Sequence, residues 1–178
     1  MSTAELIALF HHRWAAPALA LLARRGGARF VELQRGLDVG GESLRRALET
    51  LIELGYIARN PGYGHPLRPE YVPTRRSEAA ADVARRVLAA GNPETLLRKW
   101  SVPVLAELGG ERRFSELRAA LPGVTPRALA LALQDLEAAR LVKREVRPTR
   151  PPSTVYRATA RGARVLGRED DLGARPGP

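Results

Sequence analysis

Two stretches of this chain copy one another across a nearly constant gap. RWAAPALALL at 13–22 aligns with KWSVPVLAEL at 99–108, RFVEL at 29–33 with RFSEL at 113–117, and ALETLIELGYIAR at 47–59 with ALQDLEAARLVKR at 132–144. Tyr71 and Thr74 then fall over Tyr156 and Thr159, and the offset stays between 84 and 86 residues throughout. Self-similarity at a fixed period means one supersecondary unit built twice, so the fold of either copy is expected in the other. The expected organisation is a divergent N-terminal copy at 1–90 ending in a connecting helix, a C-terminal copy at 91–166, and a disordered tail at 167–178.

The C-terminal copy shows the local grammar more plainly. Asn92-Pro93 has the form of a helix N-cap followed by proline at the first helical position, where its missing N–H costs nothing. The next helix carries Val102, Leu105 and Leu108 and is expected to end at Gly109-Gly110, and Ser115 is placed to cap a short helix bearing Leu117 and Leu121 that Pro122-Gly123 stops. Thr125 caps a further helix with Pro126 at its first position. There Leu129, Leu133 and Leu136 recur at i, i+4 and i+7, which turns one stripe to the core. Beyond it LVKREV and STVYRAT carry β-branched and aromatic residues on either side of the turn-rich RPTRPP, the pattern of a two-stranded hairpin. Helix, helix, turn, helix and hairpin make a winged helix-turn-helix. The expected fold class is therefore mainly α with small β-hairpin wings (α+β), as two tandem winged helix-turn-helix domains. Between the copies SEAAADVARRVLAAG at 77–91 predicts a helix that packs them together, with Ser77 as its cap, Val83, Val87 and Leu88 on one face and Gly91 as its stop.

Charge narrows the function. A net +10 over 178 residues favours a polyanionic partner, because such a field concentrates phosphate groups and speeds encounter with them. The excess is clustered: from 140 to 164, Arg140, Lys143, Arg144, Arg147, Arg150, Arg157, Arg161 and Arg164 stand against one acid, Glu145. The bland alternative is a soluble surface with unused charge in an arginine-rich chain whose only lysines are Lys99 and Lys143. With no cysteine, disulfides, cysteine-ligated zinc and thiol switching are excluded, which fits a cytoplasmic, nucleoid-associated location. The longest uncharged apolar run, WAAPALALLA at 14–23, is about half the ~20 residues of a membrane span, so it is read as a core helix and no membrane partner is expected.

Taken in order, KW before an apolar helix, RFSEL, LPGVTPRAL, LQDLE, LVKR, a Pro-Pro hairpin tip and VYRAT before Arg161-Gly162 resemble the HxlR-type winged-helix transcriptional regulators, relatives of the MarR group. The resemblance is close over 97–166 and looser over 12–77. It implies double-stranded DNA as partner and a role in transcription. Family members usually carry one such domain and form homodimers, so two copies in one chain imply either a monomer that acts as a pseudo-dimer or a homodimer. Redox-sensing members respond through cysteine, and this chain has none to match.

In a helix-turn-helix the second helix lies in the major groove. With Leu129, Leu133 and Leu136 turned inward, Arg127, Ala130, Leu131 and Gln134 face out. Arg127 suits guanine O6 and N7, and Gln134 suits adenine. Thr125 and the free N–H groups behind it favour a phosphate. Leu131 either touches a thymine methyl or packs on a neighbouring element. In the first copy the outward set is Glu42, Arg45, Arg46 and Glu49, beside Ser43; the two glutamates repel phosphate unless one accepts from cytosine N4 or pairs with an arginine. Arg144, Arg147, Arg150 and Arg157 are the expected wing contacts of the second copy, and Arg68 is that of the first. No catalytic constellation, metal site or cofactor is expected: His11 and His12 point about 100° apart on a helix, and with His65 they lack a zinc-ligand spacing. GYGH at 62–65 lacks the context of a phosphate cradle. A protein-interaction scaffold of a chromosome-organising or nucleoid assembly and a nonspecific DNA binder are the competing functions.

Overall fold

The computed structural model describes residues 1–60, 70–148 and 152–168. Helix α1, Thr3–Leu9, opens on a reciprocal cap: Glu5 N donates to Ser2 Oγ at 3.2 Å and Ser2 N donates to Glu5 Oε2 at 2.8 Å. A turn leads to α2, Ala15–Arg25, whose residues 15–22 are all buried and which Gly26 ends at φ +77°. The apolar run that opens this helix is thus a core element. The chain continues through β1 (Ala28–Arg29), α3 (Phe30–Leu37), α4 (Gly41–Glu53), β2 (Ile57–Asn60) and β3 (Glu70–Pro73). A 3-10 turn at Arg75–Ser77 precedes α5 (Glu78–Ala89). Then come α6 (Pro93–Leu96), α7 (Ser101–Glu107), β4 (Arg112–Arg113), α8 (Phe114–Ala120), α9 (Pro126–Ala138), β5 (Val142–Arg147), β6 (Ser153–Ala158) and α10 (Ala160–Val165). The architecture is α+β, mostly helical with two small antiparallel sheets in the orders β1-β3-β2 and β4-β6-β5.

Backbone closures recur along the chain. Ile57 pairs with Pro73 and Val142 with Ala158; Ala28 pairs with Tyr71 and Arg112 with Tyr156. Thr74 Oγ1 donates to Gly55 O at 2.7 Å, and Thr159 Oγ1 donates to Arg140 O at 2.9 Å. Gly55 and Arg140 both turn the chain left-handed, at φ +69° and +58°. Helix α2 packs on α3, α4 and α5, and α7 packs on α8 and α9. Helix α1 lies against α7, and α5 meets α10, so one hydrophobic core runs from Leu6 to Val165. Thr3 Oγ1 donates to Glu107 across the contact of α1 with α7, and Arg13, in the turn after α1, pairs with Glu94 of α6 at 2.7 Å.

Several caps differ from the sequence expectation. Arg113, not Ser115, stands at the N-cap of α8, with its N–H donating to Glu116 Oε2 at 2.6 Å. The carboxylate of Glu116 reaches back to the orphan donor and leaves Ser115 inside the helix. The same bond joins Arg29 N to Glu32 Oε2 at 2.7 Å at the start of α3. Asn92 does precede Pro93, but its amide makes no bond to α6. Ser77 does not cap α5, since its hydroxyl donates to Thr74 O at 2.7 Å. Leu88 is 36% exposed while Val83 and Val87 are buried, because consecutive helical residues diverge by about 100°. His11 and His12 sit in the turn before α2 rather than in a helix, with their rings edge to face at 4.8 Å.

Two elements at the ends were not anticipated, α1 and α10. The second is capped by Thr159, whose Oγ1 accepts from Gly162 N at 3.1 Å. Gly167 and Arg168, expected in the tail, belong to the fold: Arg168 Nη1 donates to Ala106 O at 2.8 Å. The rest of the expected tail, 169–178, lies outside the described residues, as do GYGH and the hairpin tip. Among the described residues no helix is long and apolar enough to cross a membrane.

Candidate nucleic-acid interface

Helix α9 begins as its sequence dictates. Thr125 Oγ1 accepts from Ala128 N at 3.2 Å and Pro126 holds the first position, so one N–H of the first turn is satisfied internally. Leu129, Leu133 and Leu136 are buried, and α9 packs on α7 and β5. Arg127, Ala130, Leu131 and Gln134 are exposed on the other side. Neither Arg127 nor Gln134 bonds to a described residue, so both keep their polar ends for a partner. Leu131 is 49% exposed, and no element among the described residues covers it fully.

The C-terminal sheet carries more charge than its position along the chain made evident. Residues directly opposite in an antiparallel pair share a face. Lys143 stands opposite Arg157, a like-charge pair. On the other face Arg112, Tyr156 and Arg144 form one row across three strands. In the N-terminal sheet the corresponding pair is Ala58 with Val72 and the corresponding row is Ala28, Tyr71 and Arg59. Arg112 and the cross-strand partnership of Lys143 were missed from sequence, because both depend on strand register. The dibasic step in GGERRF was the available signal. Arg147 is paired with Glu111 and is less available than Arg144 or Arg157. Arg150 and Arg68 lie outside the described residues.

Helix α4 presents a different surface. Glu42, Ser43, Arg45, Arg46 and Glu49 are all exposed, and Gly40 at the N-cap supplies no side-chain acceptor. Glu42 binds both neighbouring guanidinium groups, Arg45 Nη1 at 2.7 Å and Arg46 Nε at 3.0 Å. One carboxylate thus engages two cations. Exposed pairs of this kind contribute about 0.2–1 kcal/mol each, which a phosphate must displace to use either arginine. Among the described residues no cluster of three or more His, Asp or Glu is placed to hold a metal.

Comparison with known proteins assigns the family. The model described as an HxlR-like helix-turn-helix matches residues 95–172. An uncharacterised HTH-type transcriptional regulator of Bacillus subtilis, YvaP, is 37% identical over 78 residues, which is 42% of this chain and 72% of that protein. The chain belongs to the HxlR-like helix-turn-helix family. The HxlR-like segment starts within α6 and runs past α10, so α9 and both long strands fall inside it and α4 falls outside. An uncharacterised HTH-type transcriptional regulator of Synechocystis is 42% identical over 73 residues, 40% of this chain. The match spans about half of that relative, 54% of its length. Among solved structures, the reduced form of the transcriptional regulator YodB of Bacillus subtilis aligns at 24% identity and a TM-score of 0.38, covering 56% of this chain and 96% of that one.

Proposed function

We propose that this HxlR-like protein is a DNA-binding transcriptional regulator built from two winged helices in tandem, with the C-terminal one supplying most of the affinity. The observation that carries the reading is the unpaired basic surface on the family-matched half. Arg127 and Gln134 stand free on α9, and Arg112, Arg144, Lys143 and Arg157 stand on the adjoining sheet. Lys143 opposite Arg157 costs stability in the free protein. A phosphate backbone relieves that repulsion, which makes a polyanion the natural complement. Arg127 near the N-terminus of α9 is positioned for a base edge, whereas the sheet arginines suit phosphates and carry no sequence information.

The N-terminal half supports the tandem reading through its repeated register and closures, and its distinct α4 surface argues that any half-site it contacts differs from the first. One chain then imitates the dimer that the family resemblance implies, with its two helices about one turn of DNA apart, roughly 34–36 Å. A second reading, a protein-interaction scaffold, draws on the ion-paired Glu42 of α4 and on exposed Leu131. Salt titration of duplex binding separates the two. A reader making about 6–10 phosphate contacts loses about 10³- to 10⁵-fold in affinity between ~50 and ~200 mM salt while retaining preference for one site. Absence of duplex binding at the lower salt favours the scaffold.

A further inference from the structure

We propose that the seam between α5 and α10 is a binding site for a small phosphate-type oxyanion, a site separate from the DNA reading and independent of it. Arg86 from α5 and Arg161 and Arg164 from α10 line an open cavity of about 420 Å³ with Ala89, Ala90 and Val165. Among the described residues no carboxylate lines it, and none of the three arginines has an ion-pair partner there. Arg161 is held in place: its Nη2 donates to Ala90 O at 3.2 Å, and the Asn92 amide, turned to its hydrogen-bonded orientation, accepts from the same nitrogen at 3.0 Å. Arg86 is packed beneath the chain at Gly167, where a Cβ atom would stand 3.2 Å from its Cζ. Its Nε is shut off from water and has no acceptor.

A desolvated guanidinium nitrogen without a partner is rare, and the charge of Arg86 is offset by no carboxylate of the lining among the described residues. Three like charges on one lining repel each other until an anion enters, and the planar fork of arginine matches the oxygens of phosphate. Because α5 follows the N-terminal sheet and α10 follows the C-terminal sheet, a bound oxyanion ties the two parts of the chain together.

Thermal denaturation of the full chain in inorganic phosphate, with chloride holding ionic strength constant, tests the site. Phosphate up to about 10 mM raises Tm progressively by mass action. Arg164→Gln, a change at an exposed position, moves the onset to at least about tenfold higher phosphate, the loss expected for one charge-assisted hydrogen bond. Arg86→Leu leaves Tm in chloride equal or higher, since a half-buried guanidinium whose Nε has no acceptor is removed, and abolishes the phosphate response. If Arg86→Leu fails to fold, Arg164→Gln carries the test alone. No rise in Tm with phosphate, or a rise of the same size in Arg164→Gln, overturns the proposal, the second outcome being a general salt effect. A shallower salt slope of duplex binding in Arg164→Gln, with no response of Tm to free phosphate, assigns these arginines to the DNA backbone and also overturns it. Phosphate binding retained in a protein that binds no duplex leaves this site standing while removing the DNA reading.

Discussion

Arg127 is the second residue of α9 and is exposed, and in the proposed function its guanidinium reads one base edge through two hydrogen bonds. Arg127→Ala is expected to cost about 1–3 kcal/mol in duplex affinity and to relax preference at a single base, measured by competition among single-base variants of the site. An equal loss on every sequence removes Arg127 from the reading role. Gly162 is a residue of a different kind. A methyl group there would overlap the Leu141 carbonyl oxygen, so α10 can lie this close to the loop after α9 only without a Cβ. The place 85 residues earlier is Ser77, whose side chain fits and donates to Thr74 O at 2.7 Å. Gly162→Ala is therefore expected to destabilise the fold by about 1–3 kcal/mol in chemical denaturation. A change below about 0.5 kcal/mol, the range of ordinary surface substitutions, contradicts that packing.

At the scale of elements, the proposed function divides recognition between α9 and the C-terminal sheet, with the sheet contributing at some expense in stability. Lys143→Glu replaces a like-charge cross-strand pair with an opposite-charge one, worth about 0.2–1 kcal/mol to the free protein. The same change is expected to weaken binding to all duplexes alike and to reduce the salt slope by about one or more. Higher Tm with a shallower slope is the signature to look for, and an unchanged slope places Lys143 off the DNA. What the sequence made readable follows the same division. The start of α9 and its buried stripe were readable because Thr125, Pro126 and the leucine spacing act within one helix. The row of Arg112, Tyr156 and Arg144 was not, because β4 and β6 are joined only by long-range pairing. Helix α10 escaped notice for a related reason: ARGARV has no apolar period of its own, and its place depends on the close approach at Gly162. Ser115 misled because a cap was judged by residue type alone, while Glu116 supplied the bond from three residues past Arg113.

For the whole molecule, α1 and α10 act as fasteners. Helix α1 reaches forward to α7 and α10 reaches back to α5, so the repeated registers share one continuous core. A chain joined in this way presents α4 and α9 from a single body, and their outer faces differ at every aligned place: Glu42 against Arg127, Arg45 against Ala130, Arg46 against Leu131 and Glu49 against Gln134. A site built for such a chain is asymmetric, whereas a homodimer that reads through α9 alone selects a palindrome. Selection of duplexes from a random pool by the full chain tests this most directly. The account predicts one enriched site with two unlike halves about 10–10.5 base pairs apart, centre to centre. Enrichment of a palindrome, or retention of duplexes with no enriched sequence at all, contradicts it.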